Sequence, residues 1–500
     1  MKRKLTAASL TALLAVGALA GTGFSAAPSN NTTPASNASV GKTYMVAFQK
    51  ELPANYDSII ADAGGKVLRA LPELGGLEVA SSNPSFLDNL KGVAEIQAAN
   101  VEMVHRLDYK KNDPTAADGQ PVTDIPQPDQ IDSYWKYQWD IQRITNNGAS
   151  YSLETGGAKN ADGTVTHKAV VGIIDSGIDP NHPDLKGNLL GGANFVPAGV
   201  DDTEKGDPND ILDRDGHGTH VAGSIAGNGK VKGVGPELGI RVYRVFPKDA
   251  GAPTAWIVDA IVQAANDRVD VINMSLGGFD SHKYFYQGNK YSDVADILLW
   301  KRAIQYAIQH NVTVVAAAGN DSLNLDDKKA VTAYMNATYG YLGLQFKGPT
   351  TEVPGQIPGV ITVSSSIEWS TDKIAFYSNY GKSTITVAGP GGDNGPVFDA
   401  TRDLMKRDFH YRTLSTWPTY LPSYFTSNLK SYALLHGTSM ASPKVAGIAG
   451  VIKAAHPELT PPQVAALISQ TANDYGKPGK DELFGAGEAN AYNALTGTKK

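Results

Sequence analysis

Short, largely apolar runs recur from about one third of the way along this chain, each separated from the next by a helix-length segment. Val170–Ile174, Arg241–Val245, Val269–Met274, Val312–Ala317 and Val360–Val363 read as fully buried strands, with Thr254–Asn266 and Asp293–Gln309 as helices between them. A strand apolar on both sides must be covered on both sides, so this alternation specifies an α/β fold: a parallel sheet with helices on both faces. In such sheets ligands sit at the carboxyl ends of the strands, which is where polar residues carry the most information.

Upstream, Gly41 to Leu107 has a different rhythm. Tyr44–Phe48, Lys66–Leu71, Leu77–Ser81 and Val93–Leu107 read as strands, and Pro53–Ala63 and Asn83–Leu90 as helices. The order β-α-β-β-α-β is that of a small ferredoxin-like α+β domain, of a size that folds only marginally alone. Lys110 to Asp132 then carries Asp113-Pro114, Asp118-Gly119, Pro121, Pro126 and Pro128. It reads as an exposed linker suited to being cut. Tyr134, Trp135, Tyr137 and Trp139 begin a segment that packs. The expected organisation is 41–107, a linker at 108–133 holding a processing site, and a large domain over 134–500.

The first residues carry an address. Lys2, Arg3 and Lys4 precede an apolar run from Leu5 to Ala20, with Ala18-Leu19-Ala20 or Phe24-Ser25-Ala26 as cleavage patterns. This reads as a signal peptide over 1–26, followed by a Ser/Asn/Thr/Pro-rich linker over 27–40, and predicts an exported, extracellular protein. Thr6, Ser9 and Thr11 dilute the run too far for a good membrane span. With 44 Lys+Arg against 50 Asp+Glu, the net charge of −6 offers no basic footprint for nucleic acid. The absence of cysteine excludes a disulfide scaffold, a thiol nucleophile and a thiolate metal site.

Four element ends carry the chemistry. Asp175 closes a buried strand; by itself it reads first as a capping aspartate. His217 opens a helix in Asp215-Gly216-His217-Gly218-Thr219-His220, where a helix N-terminus disfavours imidazolium and helps keep a base neutral. His217 and His220, three apart, have a spacing seen in metal sites, but no acid or third ligand stands at helical spacing. Asn320 ends the Ala316-Ala317-Ala318-Gly319-Asn320 strand. Ser439 opens an apolar helix in His436-Gly437-Thr438-Ser439-Met440-Ala441-Ser442-Pro443, where capping alone would also suit a serine.

Taken together, the order Asp175, His217, Asn320, Ser439 and the blocks His217-Gly218-Thr219-His220 and Gly437-Thr438-Ser439-Met440-Ala441 resemble the subtilisin-like serine proteases (subtilases) from about Trp135 to Ala494. That order, with its oxyanion asparagine, is the one established for subtilisin and is taken over with the resemblance. The resemblance implies that Asp175 orients His217, that His217 takes the proton from Ser439, and that Ser439 attacks a peptide carbonyl while Asn320 holds the oxyanion. It implies that Ser275, Leu276, Gly277 and Gly278 pair with a substrate strand, the two glycines allowing close approach. Residues 41–107 would then be an inhibitory propeptide acting on the chain's own peptidase domain, and the partners protein or peptide substrates of a monomeric enzyme.

The chemistry so implied needs no cofactor. A structural calcium ion remains possible, although Asn228-Gly229-Lys230 lacks the ligands of the family's tight calcium loop and adds a cation. Asp201, Asp202, Asp207, Asp210 and Asp213 read as a solvated acidic loop, and Lys444, where many relatives have His, as a surface change. Insertions are expected at 321–347 and 393–435; the aromatics of the second either shape substrate choice or pack as a satellite core. Matching Pro354-Gly355 to the family segment that closes the primary pocket puts Glu352 at its base, which predicts Arg or Lys before the cut.

Overall fold

A computed structural model describes residues 42–107, 122–248, 250–422 and 429–498. The signal-peptide, first-linker and processing-site expectations fall wholly or largely outside these residues, as do Tyr424 and Phe425.

Seven parallel strands form the central sheet. Their spatial order is Val387–Pro390, Ile361–Ser366, Thr313–Ala317, Val271–Met274, Val170–Asp175, Gly239–Arg244 and Leu189–Asn194. The three central strands are buried apart from Val170 at the start of one, as their two-sided apolar pattern requires. One face is covered by helices Thr254–Asn266 and Val294–Gln309, whose Ile257, Ile261 and Ile304 share a core with Ile174, Ile272 and Val314 of the sheet. The other is covered by His217–Ala226, Thr438–Ala455 and Pro461–Thr471, through Val221, Ile225, Val445 and Ile448. Thr313–Ala317, Val271–Met274 and Val170–Asp175 are neighbours. Their carboxyl ends therefore bring Asn320, Ser275 and Asp175 to one edge.

The N-terminal domain is an antiparallel sheet ordered Lys66–Leu71, Gly76–Ser81, Lys42–Phe48, Ile96–Val101, with helices Tyr56–Asp62 and Phe86–Leu90. This is the expected ferredoxin-like order. One element differs. The strand read as Val93–Leu107 is two: Ile96–Val101 stays in the sheet, whereas Val104–His105 leaves it and pairs antiparallel with Ala252–Pro253 of the large domain. The break follows from Glu102 and Met103 turning to the large domain. Glu102 accepts from the Ala255 N–H at 2.9 Å, and the Met103 N–H donates to Asp296 at 3.1 Å.

Two arginines cross the junction in opposite directions. Arg69 donates to Asp259 at 2.5 Å and to the Phe195 carbonyl at 3.1 Å. Arg302 of the large domain donates to the carbonyls of Phe48 at 2.6 Å and Leu74 at 2.7 Å. The end of the segment read as exposed linker also packs. Val122 and Ile125 are buried with Tyr134 and Tyr432, and the Tyr134 hydroxyl donates to the Pro126 carbonyl at 2.8 Å. Apolar residues at these two positions bury themselves despite the surrounding prolines. Among the described residues no helix is long and apolar enough to cross a membrane.

Candidate active site

Asp175 is fully buried at the end of its strand, and its two carboxylate oxygens lie 2.8 and 3.0 Å from His217 Nδ1. His217 is the first residue of its helix. Gly218, next along, lies so close to Gly177 that a Cβ there would collide with the Gly177 carbonyl, so the small residues of this turn seat the helix against the strand end. Ser176 and Asp213 fix the same turn. The Ser176 hydroxyl donates to Asp213 at 2.9 Å and accepts from the Gly218 N–H at 2.9 Å, while Asp213 also accepts from Thr219. Burial pulls the His217 imidazole down, but the Asp175 charge and hydrogen bond, helped by Asp215 and Asp213, outweigh it and raise its pKa.

Ser439 lies in the first turn of Thr438–Ala455 and is nearly buried. Its hydroxyl donates to the Ser275 carbonyl at 3.1 Å, and Ser275 Oγ donates back to the Ser439 carbonyl at 2.8 Å. Asn273 Nδ2 donates to Ser275 Oγ at 3.0 Å. Asn320 is tied to the same helix, since its Oδ1 accepts from Thr438 N at 3.0 Å and Thr438 Oγ1 at 2.8 Å. Thr438 and Asn273 are positioning residues that the sequence reading passed over. Each lies next to or two residues from a residue that it did single out.

Ser439, Asn320, Ser275–Phe279 and Glu352 line one cleft of about 360 Å³. Met103–Arg106 of the N-terminal domain line it too, and Arg106 pairs antiparallel with Gly277. A Cβ on Gly278 would sit 2.7 Å from His105 Nδ1, and one on Gly277 would sit 2.6 Å from Glu352 Oε1. Glu352 is buried, and neither carboxylate oxygen has a hydrogen-bond partner. Burial pushes its pKa well above the ordinary value and Asp321 adds to this, while the nearby Gly355 and Gln356 amides pull the other way. The 321–347 insertion supplies helix Lys328–Tyr339, from which Tyr334, Met335 and Tyr339 extend the cleft wall. In the second insertion Trp417 packs on Leu435 and Met440 as a satellite core.

Away from the cleft, two expectations are corrected. Lys444 is not a surface residue. It is fully buried, pairs with buried Asp140 at 2.8 Å and donates to the Met440 carbonyl at 2.9 Å. It points inward because the helix carrying Ser439 is buried almost all round. Nor is the acidic loop simply solvated: Asp213 is fully buried, and Asp210 pairs with Arg214 at 2.7 Å. At the loop without calcium ligands, Lys230 donates to the Ile131 carbonyl at 2.6 Å, and Gln138 exchanges hydrogen bonds with the Lys232 backbone. His220 donates through Nε2 to the Thr413 and Ala433 carbonyls, and burial depresses its pKa to about 3. Among the described residues no group of three candidate ligands is placed to hold a metal.

Comparison with known proteins agrees with this architecture. Over 325 residues the chain is 34% identical to the nisin leader peptide-processing serine protease NisP of Lactococcus lactis subsp. lactis, covering 64% of this chain and 44% of that protein. It is 33% identical over 319 residues to the epidermin leader peptide-processing serine protease EpiP of Staphylococcus epidermidis, covering 62% of this chain and 63% of that one. Both relatives extend well beyond the matched region. The crystal structure of EpiP from Staphylococcus aureus superposes with a TM-score of 0.71 at 28% identity, covering 92% of this chain and 99% of that one. A model of the subtilase family matches residues 166–487, the span that holds Asp175, His217, Asn320 and Ser439, and the chain belongs to that family of serine proteases.

Proposed function

We propose that this chain is a secreted serine endopeptidase, made as a self-processing zymogen, that cuts a peptide precursor rather than degrading protein at large. The observation that carries the reading is the strand Val104–Arg106. It runs antiparallel to Ala252–Pro253 and Gly277 in the cleft beside Ser439, as a peptide substrate would.

The placement of Asp175 beside His217, and of Asn320 beside the helix that carries Ser439, supports an acyl-enzyme mechanism. Asp175 engages His217 Nδ1, which makes Nε2 the nitrogen that takes the Ser439 proton. The Ser439 oxygen adds to the substrate carbonyl; the C–N bond then breaks as His217 returns the proton to the leaving amine. Water, deprotonated in turn by His217, releases the acid and regenerates Ser439. Thr438 holds Asn320 Oδ1, so Nδ2 is the end of the amide that meets the developing oxyanion, together with the Ser439 N–H. No step calls for a cofactor.

Residues 41–107 act as the propeptide, inhibiting the enzyme within the same monomer until the chain is cut downstream of the cleft strand. Leader-peptide processing by the relatives NisP and EpiP favours a dedicated precursor as substrate. Glu352 suits a basic residue before the cut. The test is a fluorophosphonate probe on the secreted protein. Expected is labelling at Ser439, absent from Ser439→Ala, with that variant remaining at full precursor size in a protease-free host. Processing of Ser439→Ala to mature size would rule out self-cleavage, and absence of labelling would rule out the nucleophile.

A further inference from the structure

One wall of the cleft is a small sheet with two unlike faces. Strand Tyr284–Tyr286 lies between Asn289–Tyr291 and Leu344–Phe346 and runs antiparallel to both. Side chains alternate across a strand. Tyr284, Leu344 and Phe346 accordingly share one face, and all three line the cleft. Phe285, half-buried, belongs to the other face, with Lys290 opposite it on one neighbouring strand and Gln345 on the other. Lys283 and Lys347, two residues from Phe285 and Gln345, hold their ammonium groups 5.5 and 4.9 Å from the centre of the Phe285 ring.

This face is basic without balance. Segments 281–292 and 328–351 carry Lys283, Lys290, Lys328, Lys329 and Lys347 and neither Asp nor Glu, in a chain whose net charge is −6. Among the described residues none of Lys283, Lys290 and Lys347 pairs with a carboxylate, and Lys290 and Lys347 are exposed. The positive field reaches a neighbour: burial lowers the pKa of His282, and the charges of Lys301 and Lys328 lower it further. An acidic peptide with an aromatic residue among its acids would answer both the ammonium groups and the ring between them. An anionic lipid surface would answer the charge alone.

The course of the chain fixes which part of a peptide meets this face. Gly277 pairs antiparallel with Arg106, and the chain then continues through Gly278–Ser281 to Tyr284. It therefore travels toward the residues before Arg106, the amino-terminal side of a peptide lying in the cleft. We propose that the Phe285 face is a docking surface for an acidic segment of the precursor, amino-terminal to the residues held in the cleft. The inference rests on the peptidase reading above, and it sets part of precursor recognition outside the cleft, in residues that take no part in the chemistry.

The experiment measures kcat and KM of enzyme matured from the full chain. One peptide cut at a single bond is used unextended and with three amino-terminal extensions. The first sets Asp and Glu around a Phe, the second replaces these acids by Asn and Gln, and the third replaces them by Lys. Expected is a kcat/KM about tenfold higher for the acidic than for the Asn/Gln extension at an ionic strength of about 0.01 M, gained through KM and shrinking at about 0.15 M as exposed charges are screened. Lys283→Gln combined with Lys347→Gln should bring these two extensions together, with the unextended peptide as the reference for each protein. Lys290→Gln alone should remove part of the gain. Equal cleavage of all the extended peptides overturns the docking surface and leaves the peptidase reading standing; failure to cut even the unextended peptide overturns both. An acidic preference that survives the double substitution overturns the assignment to this face. Sedimentation with phosphatidylglycerol vesicles that depends on Lys283 and Lys347, without an acidic preference among the peptides, would assign the face to a lipid surface instead.

Discussion

Ser275 and Ser439 hold each other by reciprocal hydrogen bonds: each hydroxyl donates to the other's carbonyl, at 2.8 and 3.1 Å. The reason lies four residues on. Pro443 has no N–H, so the Ser439 carbonyl lacks its helical donor, and Ser275 Oγ supplies one. Ser275→Ala should therefore leave a buried carbonyl unsatisfied at a cost of about 1–3 kcal/mol, and lower kcat more than it raises KM. Thermal unfolding together with steady-state kinetics checks both; an unchanged kcat would mean that the pair does not position the nucleophile.

Asn320→Leu keeps the side-chain volume and removes the donor. Turnover should fall by about 10²–10³, the magnitude established for subtilisin's own oxyanion asparagine, with little change in KM. A loss confined to KM would give Asn320 a binding role in place of a transition-state one.

Much of this was legible locally. Strands apolar on both faces, and polar residues at their ends, are patterns within a few neighbouring residues, so the sheet and the strand-end positions of Asp175 and Asn320 could be read directly, whereas joining them to His217 and Ser439 took the family resemblance. What was not legible depends on partners far along the chain. Lys444 reads as solvent-facing because nothing near it announces Asp140. Val104–His105 continues a strand pattern, and partners more than a hundred residues on, Ala255 and Asp296 for Glu102 and Met103 and Ala252–Pro253 for the strand itself, draw it out of its sheet.

The buried pair itself gives the next expectation. Lys444→Met or Asp140→Leu alone strands one uncompensated group and should destabilise the enzyme by about 3–5 kcal/mol. The double substitution should recover most of that, because two apolar side chains need no partner. Denaturant unfolding of the four proteins measures the coupling; additive losses would show that the ion pair is incidental.

Glu102 makes propeptide inhibition depend on pH. Burial raises its carboxyl well above its ordinary 4.5, with Glu78 and Asp296 adding to this. A raised pKa in the bound state means that the protonated form favours association. That contribution is complete below the ordinary value and is lost as pH rises through the bound-state value. His105, lowered to about 4, opposes this below its ordinary 6.5 and has no influence above it. The inhibition constant of the isolated 41–107 segment should therefore rise with pH above 6.5, where His105 no longer opposes it, until the raised value of Glu102 is passed, by at most about tenfold per pH unit for one proton. Glu102→Gln should flatten that slope. An equal slope in the variant would move the dependence to another group.

Glu352 is the residue whose role reaches furthest into substrate choice. Its carboxyl is buried at the cleft with no cation paired to it among the described residues, and burial favours its protonated form. A Leu or Phe substrate leaves it so. An Arg or Lys substrate ionises it, with release of the proton, and forms a desolvated charge pair. The preference for Arg over Leu should consequently grow as pH rises, because the proton that arginine must displace is held less tightly. Glu352→Gln keeps the shape and removes the titration, so the Arg-to-Leu ratio of kcat/KM should drop by about tenfold or more and lose its pH dependence. Should the ratio and its pH profile survive in Glu352→Gln, the preference arises elsewhere and the carboxyl is a buried structural group.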